Sequence, residues 1–124
     1  MKILVVDDEK DVQLLFEQRF RKEIKSQEME FAFAFSGEEA IAFMQDHEHE
    51  AVLILSDINM PGMSGLELLE QIKTKYLKPP PVVMMITAYG DEENFQMAKD
   101  LGADGFLTKP VDFTLLKEKL RTQI

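Results

Sequence analysis

The sequence predicts an α/β fold in which a parallel sheet carries helices on both faces. Two observations lead there. Five short apolar runs, rich in β-branched residues, Leu, Met or Phe, recur along the chain, and each is followed by a segment with apolar residues at helical spacing. Regular alternation of strand and helix implies parallel strands joined by right-handed crossovers, which lay the helices over both sides of the sheet. The length of 124 residues suits a single domain over 1–124 with a core of ordinary size.

The first run, Ile3 to Val6, ends in Asp7-Asp8-Glu9 and precedes Val12, Leu15, Phe16, Phe20 and Ile24, which predict one helix. A single acid there would serve as a helix cap, because a carboxylate accepts hydrogen bonds from the free N–H groups of a first turn. Two adjacent acids after a buried strand repel each other, and a divalent cation is the usual remedy. Glu30 to Phe35 alternates Phe with Ala and predicts a second strand whose three Phe face the core. Ser36 then caps a helix, with Glu39 completing a capping box before Ala40, Ile41, Phe43 and Met44. That helix ends in the polar run Asp46 to Glu50, where the spacing of His47 and His49 is poor for a metal and fits a solvated helix end.

The central run, Val52 to Leu55, is apolar throughout, as expected of a strand buried on both faces. Asp57 stands where it gives way to the turn-forming stretch Ile58 to Gly65, and Leu66 to Ile72 forms the next helix, ending before Lys78 and Pro79-Pro80-Pro81. Val82 to Ile86 is the fourth strand and runs into Thr87-Ala88-Tyr89-Gly90. A helix carrying Glu92, Glu93, Phe95, Met97, Ala98 and Leu101 closes at Gly102, and the brief strand Gly105 to Thr108 leads into Lys109-Pro110. Phe113, Leu115, Leu116 and Leu120 mark the last helix.

Composition narrows the function classes. The chain has no cysteine, which removes disulfide scaffolds, thiolate zinc sites and thiol nucleophiles. A net charge of −9 argues against direct nucleic-acid binding by this domain, since phosphate backbones are held chiefly by Lys and Arg. No apolar run is long enough to cross a bilayer and the acidic N-terminal stretch is no signal peptide, so no membrane insertion and a cytoplasmic location are expected.

Parallel strands bring their carboxyl ends to one edge, where ligands bind in open α/β sheets, so Asp7, Asp8, Asp57, Thr87 and Lys109 are expected to meet there. Mg²⁺ suits such a set because it takes hard oxygen ligands and keeps several waters: Asp8 and Asp57 as direct ligands, Asp7 through water, and a backbone carbonyl. Asp57 is the candidate nucleophile for a phosphoryl group, carboxylates being able to form acyl phosphates. Lys109 and the Thr87 hydroxyl would meet phosphoryl oxygens, where positive charge and hydrogen bonds are needed.

At Val5-Val6-Asp7-Asp8-Glu9, Ser56 to Gly65, Thr87-Ala88 and Gly102 to Pro110 the chain resembles the receiver domain of two-component response regulators, the family that includes the bacterial chemotaxis receiver. The likeness covers essentially the whole chain. It implies a flavodoxin-like strand order 2-1-3-4-5, phosphorylation at Asp57, a metal site of Asp7, Asp8, Asp57 and the carbonyl of Asn59, and a cis peptide before Pro110. It also implies that Thr87 and Lys109 act as switch hydroxyl and lysine and Phe106 as the switch aromatic. Because Phe106 lacks a tyrosine hydroxyl, packing alone would drive its rotation. Asn59 and Tyr89 match positions that set the lifetime of the acyl phosphate.

The resemblance further implies a sensor histidine kinase or phosphotransfer protein as donor, and a downstream output protein or domain engaged through the face from about Glu92 to Leu120. A homodimer is compatible with it. Receivers that pair to drive winged-helix outputs carry two acids before the switch aromatic, whereas this chain has Asp104-Gly105. The chain is expected to catalyse only its own phosphorylation and dephosphorylation. A phosphatase of the haloacid dehalogenase type would need an acid at position 59 to protonate the leaving group, and Asn59 cannot supply that proton. A flavin-phosphate binder would need N–H groups and hydroxyls where the first loop is acidic, and no P-loop is present.

Overall fold

The structure, a computed structural model, describes residues 1–47, 53–75, 82–88 and 91–122. Five strands, β1 (Lys2–Val6), β2 (Glu30–Ala34), β3 (Leu53–Asp57), β4 (Val82–Thr87) and β5 (Gly105–Thr108), pair in parallel in the order β2-β1-β3-β4-β5. The helices are α1 (Asp11–Arg19), α2 (Arg21–Lys25), α3 (Gly37–Asp46), α4 (Gly65–Lys75), α5 (Glu92–Asp100) and α6 (Phe113–Arg121). This is the doubly wound arrangement and the strand order expected.

Alternating strand residues feed two cores. Leu4, Val6, Ile54, Val83 and Met85 pack with Ala40 and Met44 of α3, Leu68, Leu69 and Ile72 of α4 and Ala98 of α5. Ile3, Val5, Leu53, Leu55, Met84 and Ile86 pack on the other face with Phe16 of α1 and Leu116 and Leu120 of α6. Each such aliphatic side chain contributes about 1.5–3 kcal/mol relative to its exposed state. β3 is buried along its whole length: Leu53, Ile54 and Leu55 continue the apolar run that predicts this, and Ser56 and Asp57 are buried with them at the strand's carboxyl end.

The expected single first helix is two segments. Phe20 leaves helical geometry (φ −107°, ψ 22°), and its ring is fully buried beside Phe16 and Phe31. Hydrogen bonds from Phe20 N–H to the Phe16 carbonyl and from Ile24 N–H to the Phe20 carbonyl, each 2.9 Å, carry the ladder through the bend. Leu15 and Ile24, expected on the buried stripe, are 40% and 36% exposed. The β2 phenylalanines are also less buried than expected. Phe31 and Phe33 are only partly covered, because β2 is an edge strand, while Ala34 on the opposite face is buried. Phe35 lies beyond the strand under the Lys10 ammonium, 5.9 Å from the ring centroid.

Ser36 caps α3 as expected, its hydroxyl accepting from the Glu39 N–H at 3.0 Å. Residues 48–52, 76–81, 89, 90, 123 and 124 lie outside the described residues, and with them the His49 spacing, the expected strand position Val52, the triple proline and Tyr89. His47 stacks on Phe43 with its Nδ1 3.0 Å from the Phe43 carbonyl.

Candidate phosphoacceptor site

Strand register brings the site together. Val6 is level with Ser56, Asp57 with Ile86, and Thr87 with Thr108, so Asp7, Asp57, Thr87 and Lys109 emerge side by side at the carboxyl edge. Asp57 is held at the last position of a fully buried strand and is itself buried. Gly65 packs against the backbone of Asp57 and Ile58 so closely that a side chain there would overlap the Asp57 carbonyl. The Gly65 N–H donates to the Ile58 carbonyl at 2.8 Å, which closes the base of the loop leading into α4.

The acids are divided in environment. Asp7 and Asp57 are buried and Asp8 is exposed, yet a carboxylate oxygen from each lies within 4.8 Å of the others. Asp57 Oδ2 accepts from Lys109 Nζ at 2.6 Å, and its Oδ1 accepts from the Asn59 N–H at 3.2 Å. Asp7 does not cap α1: its Oδ1 accepts from the Glu9 N–H at 2.9 Å, while Lys10 holds the cap position without a side-chain bond. Thr87 is buried, and its carbonyl accepts from the Lys109 N–H at 2.9 Å, which fixes the backbone that carries the lysine. The Lys109-Pro110 peptide is cis.

Electrostatics follow from crowding. Burial raises the Asp7 carboxyl above its ordinary 3.8; the Glu9 N–H pulls it down, while the Asp57 charge adds to the rise. Burial by itself would lower the Lys109 ammonium, but its hydrogen bond and charge pairing with Asp57, helped by Asp7 and Glu9, hold it above the ordinary lysine value. The oxygen donors suit a hard cation such as Mg²⁺: two carboxylates converge on Asp57, and among the described residues the three acids outnumber the lysine, Lys109, that pairs with them.

The model of the response regulator receiver domain matches residues 3–121. The chain belongs to that family. Response regulator RppA of a Synechocystis species is 34% identical over 121 residues, which cover 98% of this chain and 49% of the relative. The chain thus spans about half the length of the curated relative it matches. Among solved structures, a receiver domain protein of Clostridium thermocellum has a TM-score of 0.86 at 28% identity, covering 99% of this chain and 93% of the other. A chemotaxis protein of Vibrio cholerae has a TM-score of 0.79 at 29% identity, covering 99% and 98%. Receiver membership places the chain in two-component phosphorylation signalling, in a family of signalling switches that generally bind Mg²⁺ at an acidic pocket. Among the described residues no helix is long and apolar enough to cross a membrane.

Some contacts of this receiver had no clear signal in the sequence. Phe95 of α5, 39% exposed, packs on Phe106 of β5 with ring centroids 4.3 Å apart. Asp104 is engaged within the chain, accepting from Lys73 Nζ at 2.6 Å and from the Val83 N–H at 2.8 Å. Both pairs join residues from separate elements, so helical or strand periodicity does not reveal them.

Proposed function

We propose that this chain, as a single receiver domain over 1–124, is a switch controlled by phosphorylation of Asp57. The observation that carries the reading is the Asp57 carboxylate, buried at a strand end with Lys109 Nζ at 2.6 Å and two further acids converging on it. An Asp57 oxygen attacks the phosphorus of a phosphohistidine on a sensor histidine kinase or phosphotransfer protein, the P–N bond breaks, and an acyl phosphate forms. A groove lined by Val12, Leu15, Arg19, Lys109, Pro110 and Phe113 opens beside Asp7 and offers the donor a route to the site.

Asp8 and Asp57 would hold Mg²⁺ directly, Asp7 through water, and the Asn59 carbonyl would complete the protein's share. The cation, when bound, supplies positive charge to the phosphoryl oxygens. Lys109 exchanges its bond to free Asp57 for one to a phosphoryl oxygen, and the Thr87 hydroxyl hydrogen-bonds another. Phe106, packed on Phe95, follows Thr87. This repacks the surface of α5, β5 and α6 toward an output domain or protein, by as much as the phosphoryl group favours the new arrangement. The engagement of Asp104 by Lys73 and Val83 leaves that acid committed within the chain, which speaks against its use in pairing two copies. The reading assigns the protein to the cytoplasm, with no direct contact to nucleic acid.

Incubation with acetyl phosphate, with and without Mg²⁺, followed by intact-mass measurement tests the proposal. One added phosphoryl group is expected, dependent on Mg²⁺ and lost in Asp57→Asn. Labelling of that variant at another residue would reassign the acceptor, and steady hydrolysis of phosphate esters without an adduct would replace the switch by a phosphatase.

A further inference from the structure

The loop from Ile58 to Ser64 carries Asn59 and is closed at its base by the Gly65 to Ile58 hydrogen bond. Its tip is gripped from a different element. Glu38, in the first turn of α3, accepts from the Met63 N–H through Oε1 at 3.3 Å. Its Oε2 lies 3.0 Å from where a side chain on Gly62 would begin, so the carboxylate spreads over the Gly62-Met63 backbone. The Met63 side chain in turn lies on Gly37: a methyl there would stand 2.8 Å from both Met63 Cγ and Sδ. From α4, the Gln71 amide reaches Met63 Sδ at 3.9 Å.

We propose that Glu38 and Gly37 form a latch that positions the loop after Asp57, with Glu38 a positioning residue for the cation site and Gly37 the seat that admits Met63. The inference rests on the phosphoacceptor reading above. Three features of the geometry support it. The bond joins a charged acceptor to a backbone N–H, and the same carboxylate also lies over Gly62, so two successive residues of the loop tip meet one side chain. The carboxylate sits in the first turn of a helix, where the helix dipole favours it, so it is held ready without a partner from the loop. The Asn59 N–H donates to Asp57 Oδ1 four residues before Met63, so a loop free at its tip loosens the segment that presents the Asn59 carbonyl. Three elements thus set the loop's shape: β3 at its root, α3 at its tip and α4 at its exit.

Glu38→Gln keeps an oxygen acceptor for the Met63 N–H, and Glu38→Ala removes it. In the metal-free protein, amide hydrogen exchange at Met63 is expected to quicken about three- to tenfold in Glu38→Ala. The Mg²⁺ dissociation constant, followed by amide shifts in a titration with the metal alone, is expected to rise by about threefold. Glu38→Gln restores both toward wild type. Gly37→Ala is expected to weaken Mg²⁺ binding by displacing Met63, and Met63→Ala in the same chain to recover part of the loss, because the smaller side chain makes room.

Unchanged Met63 exchange and Mg²⁺ affinity in Glu38→Ala would overturn the latch, as would a Gln variant no better than Ala. Absence of Mg²⁺ binding by the wild type would instead overturn the phosphoacceptor reading. Met63 exchange, measured without metal, still decides whether the grip exists.

Discussion

Acids are buried at both edges of the sheet, and the two clusters are built differently. At the carboxyl edge Asp7, Asp8 and Asp57 face one cation, Lys109. At the amino edge, beside the starts of β1 and β2, Glu23 and Glu28 meet Lys117 and Arg121: Lys117 Nζ lies 3.4 Å and Arg121 Nη2 3.3 Å from Glu23 Oε2, and Arg121 Nε lies 2.9 Å from Glu28 Oε2. Counting the side chains of these two clusters among the described residues, two acids meet two cations at the amino edge, whereas three acids at the carboxyl edge meet Lys109. The balanced cluster ties α6 to α2 and to the turn before β2. The unbalanced one holds an excess of negative charge, and the fold carries its repulsion. Burial of acids is common to both; what distinguishes the two clusters is how far cationic side chains match them.

The largest effect in this comparison is expected from Glu23→Ala. The side chain is 8% exposed, and its removal leaves a cavity and two cations that have lost their buried partner. A loss of about 2 kcal/mol in urea-unfolding free energy follows, less than for a fully buried pair because Lys117 and Arg121 are partly exposed. A loss within experimental error would remove the distinction between a structural and a functional cluster. Among the described residues Glu23 Oε1 has no hydrogen-bond partner, so this cluster carries a cost of its own, which the measured value will include.

Asp7→Asn should act in the opposite direction. Its carboxyl is raised above 3.8, so the native state holds the proton more tightly than the unfolded chain. Stability conferred by that proton is present below the unfolded value and is lost as pH rises through the higher native value. The variant, without a charge to form, is expected to be more stable than wild type at neutral pH in the absence of metal. The gain should vanish toward pH 4, and Mg²⁺ should stabilise the wild type far more than the variant. Urea midpoints at several pH values, with and without Mg²⁺, check all three; a variant less stable than wild type at neutral pH would show that burial of the Asp7 charge, with the repulsion from Asp57, does not set the cost of this site.

Arg121→Ala gives the smallest expected change. Its hydrogen bond to Glu28 holds that carboxyl below its ordinary 4.5, with the Arg121 charge adding to the effect, but the pair is solvated. The stability lost should shrink as salt is raised, measured as a difference in unfolding midpoint between low and high ionic strength. A loss independent of salt would mean that Arg121 acts through packing instead.

The alternation of strands and helices was legible because period and capping are local. Ser36 reads as a cap three residues before the N–H it binds, and the start of β3 announces its burial by the apolar residues Leu53 to Leu55. The acids at the ends of the first and third strands, and Lys109 after the fifth, were legible for a similar reason: parallel strands send their ends to one edge whatever their order. Other features were not. The bend at Phe20 depends on rings contributed by Phe31 and Phe113, and the exposure of Leu15 and Ile24 depends on how far the bent helix covers the sheet. The Phe31 and Phe33 side chains are partly exposed because β2 has a neighbour on one side only, which no pattern within the strand encodes.

The residue order alone settled the five strands, the helices that alternate with them and the chemical groups at the strand ends, since those follow from spacings of a few residues, but not the break that divides the first helix at Phe20. The chain's path through space decided the rest: that Lys109 pairs with Asp57 across 52 positions, that Glu23 finds Arg121 across 98, and that Glu38 reaches Met63 across 25. Such contacts are set by strand register and helix packing. A charge that is free, paired or poised for a ligand is distinguished only by what the fold brings beside it.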